Sequence, residues 1–151
     1  MVNVAADRPQ SGRLVDGVHR FPVRVYFEDT DFTGVVYHAN YLRFMERARS
    51  DMLRVAGVDQ RAAFETGGGY YAVAGLDIRF RTPARIDDEL LVISNVASLG
   101  ASRVVVHQRV MRGDEVVAEA EVDVAFLGAD GRPRRQPAEW RAIFGSLTGE
   151  K

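Results

Sequence analysis

Three carboxylates, Glu28, Asp29 and Asp31, stand just ahead of a glycine, Gly34, and of a long run of helical periodicity. A carboxylate can attack an electrophilic carbon or take a proton from water. The first turn of a helix leaves backbone N–H groups without partners and carries partial positive charge. Such donors can hold an oxygen that is becoming negative. One chain segment would thus supply both halves of an acyl-transfer site. The competing assignment is that Asp29 or Asp31 merely caps the helix, since Asp is a preferred capping residue. Of the three histidines, His38 alone shares this context; His19 and His107 read as surface or sheet-packed. With no cysteine and no metal-ligand spacing, neither a metal nor any other cofactor is expected.

The elements that must position these residues follow from periodicity. From His19 to Glu28, Phe21, Val23, Val25 and Phe27 alternate with polar neighbours, which predicts a half-buried strand, with Pro22 favouring an edge or first position. Tyr41, Met45, Ala48, Met52 and Val55 recur at steps of four and three, which predicts a helix to about Ala56 with one apolar stripe. Arg47 and Asp51 stand at i,i+4 pairing distance on it, and Gly57 closes it. Val58 to Thr66 is a weaker helix with Asp59 as its cap. Gly67-Gly68-Gly69 then reads as a connector, because no Gly-Lys-Ser/Thr follows to make a phosphate loop. Strands are predicted at Tyr70–Phe80, Glu89–Ser98, Arg103–Arg112 and Val116–Leu127, and a short helix opening at Pro137 carries Trp140, Ile143 and Phe144. Strands in succession with tight connections form an antiparallel sheet. With one long amphipathic helix to cover it, the fold class is α+β, a curved sheet around a helix.

The chain of 151 residues is one domain by length, with a mobile arm at 1–18, a domain at 19–145 and a tail at 146–151. A net charge of −1 gives no reason to expect nucleic acid, and Lys151 is the one lysine among many arginines. No apolar run approaches membrane-spanning length and no leader pattern opens the chain, so a cytoplasmic location is expected.

Asp29-Thr-Asp-Phe-Thr-Gly-Val-Val-Tyr-His-Ala-Asn-Tyr41, with Asp77-Ile-Arg-Phe-Arg-Thr-Pro-Ala-Arg-Ile-Asp-Asp88, resembles the hot-dog-fold acyl-CoA thioesterases of the 4-hydroxybenzoyl-CoA thioesterase family, in the YbgC-like branch associated with the Tol-Pal system. The likeness runs from about Phe21 to Arg49, resumes at Asp77 and continues more loosely to Pro137. It implies a hot-dog fold, a homodimer or homotetramer with its sites at the subunit interface, and hydrolysis of an acyl-CoA thioester. Asp31 falls on the catalytic carboxylate, as nucleophile or general base. The oxyanion donors would be the backbone N–H groups following Gly34, at Val35 and His38. The His38 side chain falls on the polarising donor and could orient water or protonate the leaving thiolate. Tyr37, Glu46, Ser102 and Arg103 fall on substrate-binding positions, Glu46 facing the acyl group across the interface or else forming a structural ion pair with Arg43, Arg49 or Arg85. Arg81 and Arg85 are weaker candidates for the nucleotide. Phe32 and Thr33 stand where relatives often have small residues and would reshape the pocket mouth. Partners in the Tol-Pal or phospholipid-synthesis machinery are implied, and the alternative is an acyl-CoA-binding or scaffold protein without turnover. The hot-dog dehydratases carry a different motif.

Overall fold

A three-residue strand, β1 (Arg13–Val15), opens the described part of the chain and turns back at once into β2 (Val18–Arg24). The computed structural model describes residues 5–149. After β2 come a 3-10 turn (Phe27–Asp29), α1 (His38–Val55), α2 (Gln60–Glu65), β3 (Tyr70–Phe80), β4 (Glu89–Leu99), β5 (Arg103–Arg112), β6 (Glu115–Leu127) and α3 (Ala138–Gly145). The strands form one antiparallel sheet in the order β1-β2-β4-β5-β6-β3. The sheet curls around α1, the arrangement expected of an α+β hot-dog domain.

The apolar stripe of α1 is buried at Tyr41, Met45, Ala48 and Met52, with Phe44 and Leu53 beside it. Burying a large apolar side chain contributes roughly 1.5–3 kcal/mol, so this stripe is the main fastening between helix and sheet. Opposite it lie the inward rows of β4, β5 and β6, among them Val92, Val104, Val106, Val110, Val122 and Val124. The helix packs mainly on β1, β2, β4 and β5. The inner row of β3 is consequently left half open, with Val73, Leu76 and Phe80 at 49%, 42% and 50% exposure. Gly57, at φ +94°, follows α1 in the left-handed conformation expected of a helix-ending glycine. Asp59 caps α2 by accepting the Ala62 amide at 3.0 Å.

Several boundaries differ from the sequence expectations. The strand read from His19 to Glu28 ends at Arg24, because the chain must turn at Phe27–Asp29 to reach α1. The stretch read as an N-terminal arm carries β1, joined to β2 by Asp16-Gly17 with φ of 51° and 80°. Two consecutive positive φ values mark the tight hairpin turn that Asp-Gly favours. Residues 1–4 of that arm lie outside the described residues, as do 150 and 151 of the tail. The rest of the tail is tied down: Leu147 is buried, its carbonyl accepts the Val96 amide, and Gly149 donates to Gly17. Pro22 is tolerated inside the sheet because β1 reaches only as far as Arg20, which leaves β2 an edge at that point.

The expected Arg47–Asp51 pair does not form. Asp51 Oδ2 lies 2.7 Å from His19 Nε2 and accepts the Gly12 amide at 2.8 Å. His19, expected to be surface or sheet-packed, is fully buried under α1. Only glycine fits at position 12, since a Cβ there would stand 2.4 Å from the Arg20 carbonyl oxygen.

Candidate active site

The acidic turn separates the two aspartates by role. Asp29 is buried and its carboxylate is fully engaged: Oδ2 accepts the Tyr26 amide at 2.8 Å and Oδ1 accepts the Asn40 side-chain amide at 2.7 Å. Its carbonyl also accepts the Tyr37 amide at 2.9 Å. Asp29 is the anchor of the turn. Asp31 lies toward solvent, and one of its oxygens accepts both the amide and the hydroxyl of Thr33. Those two bonds, hydroxyl foremost and the His38 field last, hold its carboxyl below the usual carboxylate range. Asp31 is therefore an ionised carboxylate with its second oxygen uncommitted among the described residues.

Gly34 makes the return possible. Its φ of +86° lies in the left-handed region, and its amide bonds the Asp31 carbonyl at 3.0 Å. Val36 then donates to the Ala84 carbonyl at 2.8 Å, pinning the turn to the loop after β3. α1 begins at His38, with Tyr37 as its first flanking residue and no side-chain cap. Among the described residues, the backbone N–H groups of Val35, His38 and Ala39 have no acceptor. A helix of eighteen residues thus aims its unpaired, partly positive end at the same turn that carries Asp31.

The His38 ring packs 4.5 Å from the Tyr37 ring and edge-on to Phe80 at 6.2 Å. With Val36, Tyr41, Phe80 and Thr82 it lines an open hollow of about 260 Å³. Phe32 is fully exposed at the tip of the turn, outside the lining of that hollow.

The remaining sequence candidates fall elsewhere. Glu46 lies two turns down α1 and binds Arg49, one of the three arginines named for it. Arg49 in turn donates to Gln108 Oε1 at 2.8 Å. Gln108 is wholly buried, and its amide nitrogen donates to the Met45 carbonyl and to Ser94 Oγ. This glutamine was missed by sequence reasoning; its signal is a polar residue in an inward register position of β5, between Val106 and Val110. Ser102 and Arg103 stand at the β4–β5 turn, apart from the acidic turn in this chain. Arg103 is exposed and already bound through two nitrogens to Asp123, at 3.1 and 2.6 Å. Arg81 pairs with Glu119 and Arg85 donates its backbone amide to Asp88. No cluster of His, Cys, Asp and Glu able to hold a metal occurs among the described residues.

The chain is similar to known proteins over most of its length. The acyl-CoA thioesterase YbgC of Haemophilus influenzae is 38% identical over 135 residues, 89% of this chain and 99% of that protein. The acyl-CoA thioester hydrolase YbgC of Escherichia coli O6:H1 is 40% identical over 127 residues, 83% and 94% of the two chains. Among solved structures, a probable thioesterase from Bartonella henselae superposes with a TM-score of 0.75 at 37% identity, covering 80% of this chain and 99% of the other. A 1,4-dihydroxy-2-naphthoyl-CoA thioesterase from Synechocystis shares the fold at a TM-score of 0.81 and 21% identity, over 86% and 97%. The profile of the Thioesterase-like superfamily matches residues 25–144, a span that holds the acidic turn, α1 and strands β3 to β6. The chain belongs to the Thioesterase-like superfamily.

Proposed function

We propose that this protein hydrolyses acyl-CoA thioesters, releasing a carboxylate and free CoA, with Asp31 as the reacting group. The observation that carries the reading is the pairing of an ionised, half-committed Asp31 with unpaired amides at the start of α1. Asp31 either attacks the thioester carbon, giving an acyl anhydride that water then cleaves, or takes a proton from the water that attacks. Both routes put negative charge on the carbonyl oxygen and expel the CoA thiolate, which must be protonated. The amides of Val35, His38 and Ala39 are the available oxyanion donors, each worth about 3 kcal/mol in comparable sites. The His38 ring stands beside them to orient water or protonate the leaving sulfur. Tyr37 and Glu46 flank the acyl group, and Ser102 with Arg103 meets the nucleotide.

A second copy of the chain completes the site. β3 is an eleven-residue edge strand with free backbone groups and a half-open inner row, which a symmetric partner would cover. A dimer, or a tetramer built from dimers, is the expected assembly, working in the cytoplasm beside the Tol-Pal or phospholipid-synthesis machinery. Thiol release from a series of acyl-CoA esters tests the activity. Binding of those esters with no thiol released by the wild-type protein would replace the hydrolase with the scaffold alternative.

A further inference from the structure

Tyr71, Val73, Leu76 and Phe80 pair with β6 residues of the inner face and so point toward α1. The row starts at Phe80, whose ring touches His38, and ends at Tyr71, whose ring lies 5.7 Å from Phe144 of α3. Between these ends, Leu42, Glu46 and Ser50 of α1 face Val73 and Leu76 across a trough of about 630 Å³. The trough therefore leads from the acidic-turn end of α1 toward the C-terminal helix.

At its far end the trough runs into a smaller hollow of about 70 Å³; Glu46, Arg49, Ser50 and Val73 line both. The hollow exists because β5 and β6 present short valines, Val104, Val106 and Val124, beneath the second half of α1. Phe144 and Tyr71 close it. The Tyr71 hydroxyl is turned aside to Gln136 Oε1 at 2.8 Å, so only the ring faces the hollow. α3 cannot slide away easily: Gln136, two residues before its start, and Arg141, midway along it, both donate to the Gly100 carbonyl, at 3.0 and 3.1 Å.

We propose that α3 measures the acyl chain: the distal carbons of an aliphatic acyl group enter this hollow, and Phe144 with Tyr71 sets how many are admitted. The inference rests on the thioesterase reading above. About 70 Å³ admits two or so groups of water size, each near 30 Å³. Glu46, Arg49 and Ser50 stand where the hollow meets the trough and Gln60 lies beside them, while Val104, Val106, Val124 and Phe144 form an apolar wall that an unsubstituted aliphatic tail would pack against.

The test is the ratio of kcat/KM along a series from acetyl-CoA to lauroyl-CoA. Phe144→Leu deepens the hollow and should raise the ratio of the first disfavoured longer ester to the preferred one by about tenfold, the low end for a methylene in a fitted pocket. Val124→Leu fills it from the opposite wall and should move the preference to shorter chains. Should Phe144→Leu fail to fold, Val124→Leu alone decides. An unchanged length profile in a folded, hydrolysing variant overturns the ruler and leaves the thioesterase reading standing. Absence of thiol release from every ester by the wild-type protein overturns both.

Discussion

Asn40 donates its side-chain amide to Asp29 Oδ1 at 2.7 Å, so the first turn of α1 grips the acidic turn directly. That contact assigns the two aspartates different fates under mutation. Asp29→Ala removes the acceptor for both Asn40 and the Tyr26 amide, and should lower stability by about 1–3 kcal/mol, read as a fall in Tm. Asp31→Asn should leave Tm nearly unchanged while thiol release falls at least about a hundredfold. Full turnover in Asp31→Asn would remove that carboxylate from the chemistry.

Acid tolerance should follow from Thr33. Its hydroxyl and amide hold the Asp31 carboxyl down, so the carboxylate stays charged as pH falls through the ordinary carboxyl range near about 4. The acid limb of kcat/KM should accordingly lie below that range. Thr33→Val removes the hydroxyl and should move the limb upward. A limb that does not move would assign the controlling titration to another group.

Folding stability should respond to pH through His19. Burial pushes its pKa down, with the Asp51 hydrogen bond and charge opposing. The unfolded chain therefore binds this proton more readily than the folded one. Stability contributed by the neutral imidazole is present above the unfolded value of about 6.5 and is lost as pH falls toward the depressed one. Thermal melts between neutral and mildly acid pH should show this fall, and His19→Gln should flatten it.

Assembly should be visible as mass. The wild-type chain is expected to scatter light as a dimer or larger species at micromolar concentration. Leu76→Arg, which places a charge on the half-open inner row of β3, should give monomers and abolish turnover. A fully active monomer would end the shared-site reading.

Arg103, proposed above to meet the nucleotide, is already paired. Asp123 binds its guanidinium through two nitrogens. Asp123→Asn should therefore free the charge and lower KM for CoA esters, while Arg103→Ala should raise it, with little effect on short pantetheine esters in either case. Equal changes on both ester types would remove Arg103 from the phosphates.

Where a pattern repeats along the chain, the sequence was informative. The stripe from Tyr41 to Met52 predicted α1 and placed its end within a residue, and alternation predicted β3 to β6 closely. β1 escaped because three residues are too few for periodicity; its legible signal was Asp16-Gly17 between apolar flanks. The motif singles out Asp31, but the capping chemistry of aspartate suits either Asp29 or Asp31, and the contacts of Asp29 with Tyr26 and Asn40 are what assign the anchor. The Arg49–Gln108 bond joins residues 59 apart and leaves no local trace. The same holds for His19 and Asp51, whose pairing displaced the nearer Arg47.

The helix is held along its length: by Asp29 and Asn40 at its start, by Gln108 at Met45 and Arg49, and by His19 at Asp51. β3, facing it across the trough, has one free edge and an irregular register between Val73 and Gly75. The two walls therefore differ in compliance. Acyl groups of different girth would be accommodated by outward bowing of β3 at Gly75, with α1 as the fixed jaw. Because β3 is also the edge a second chain would pair with, a bulky acyl group in one subunit would strain its neighbour's strand, and occupancy of the two sites would be mechanically coupled.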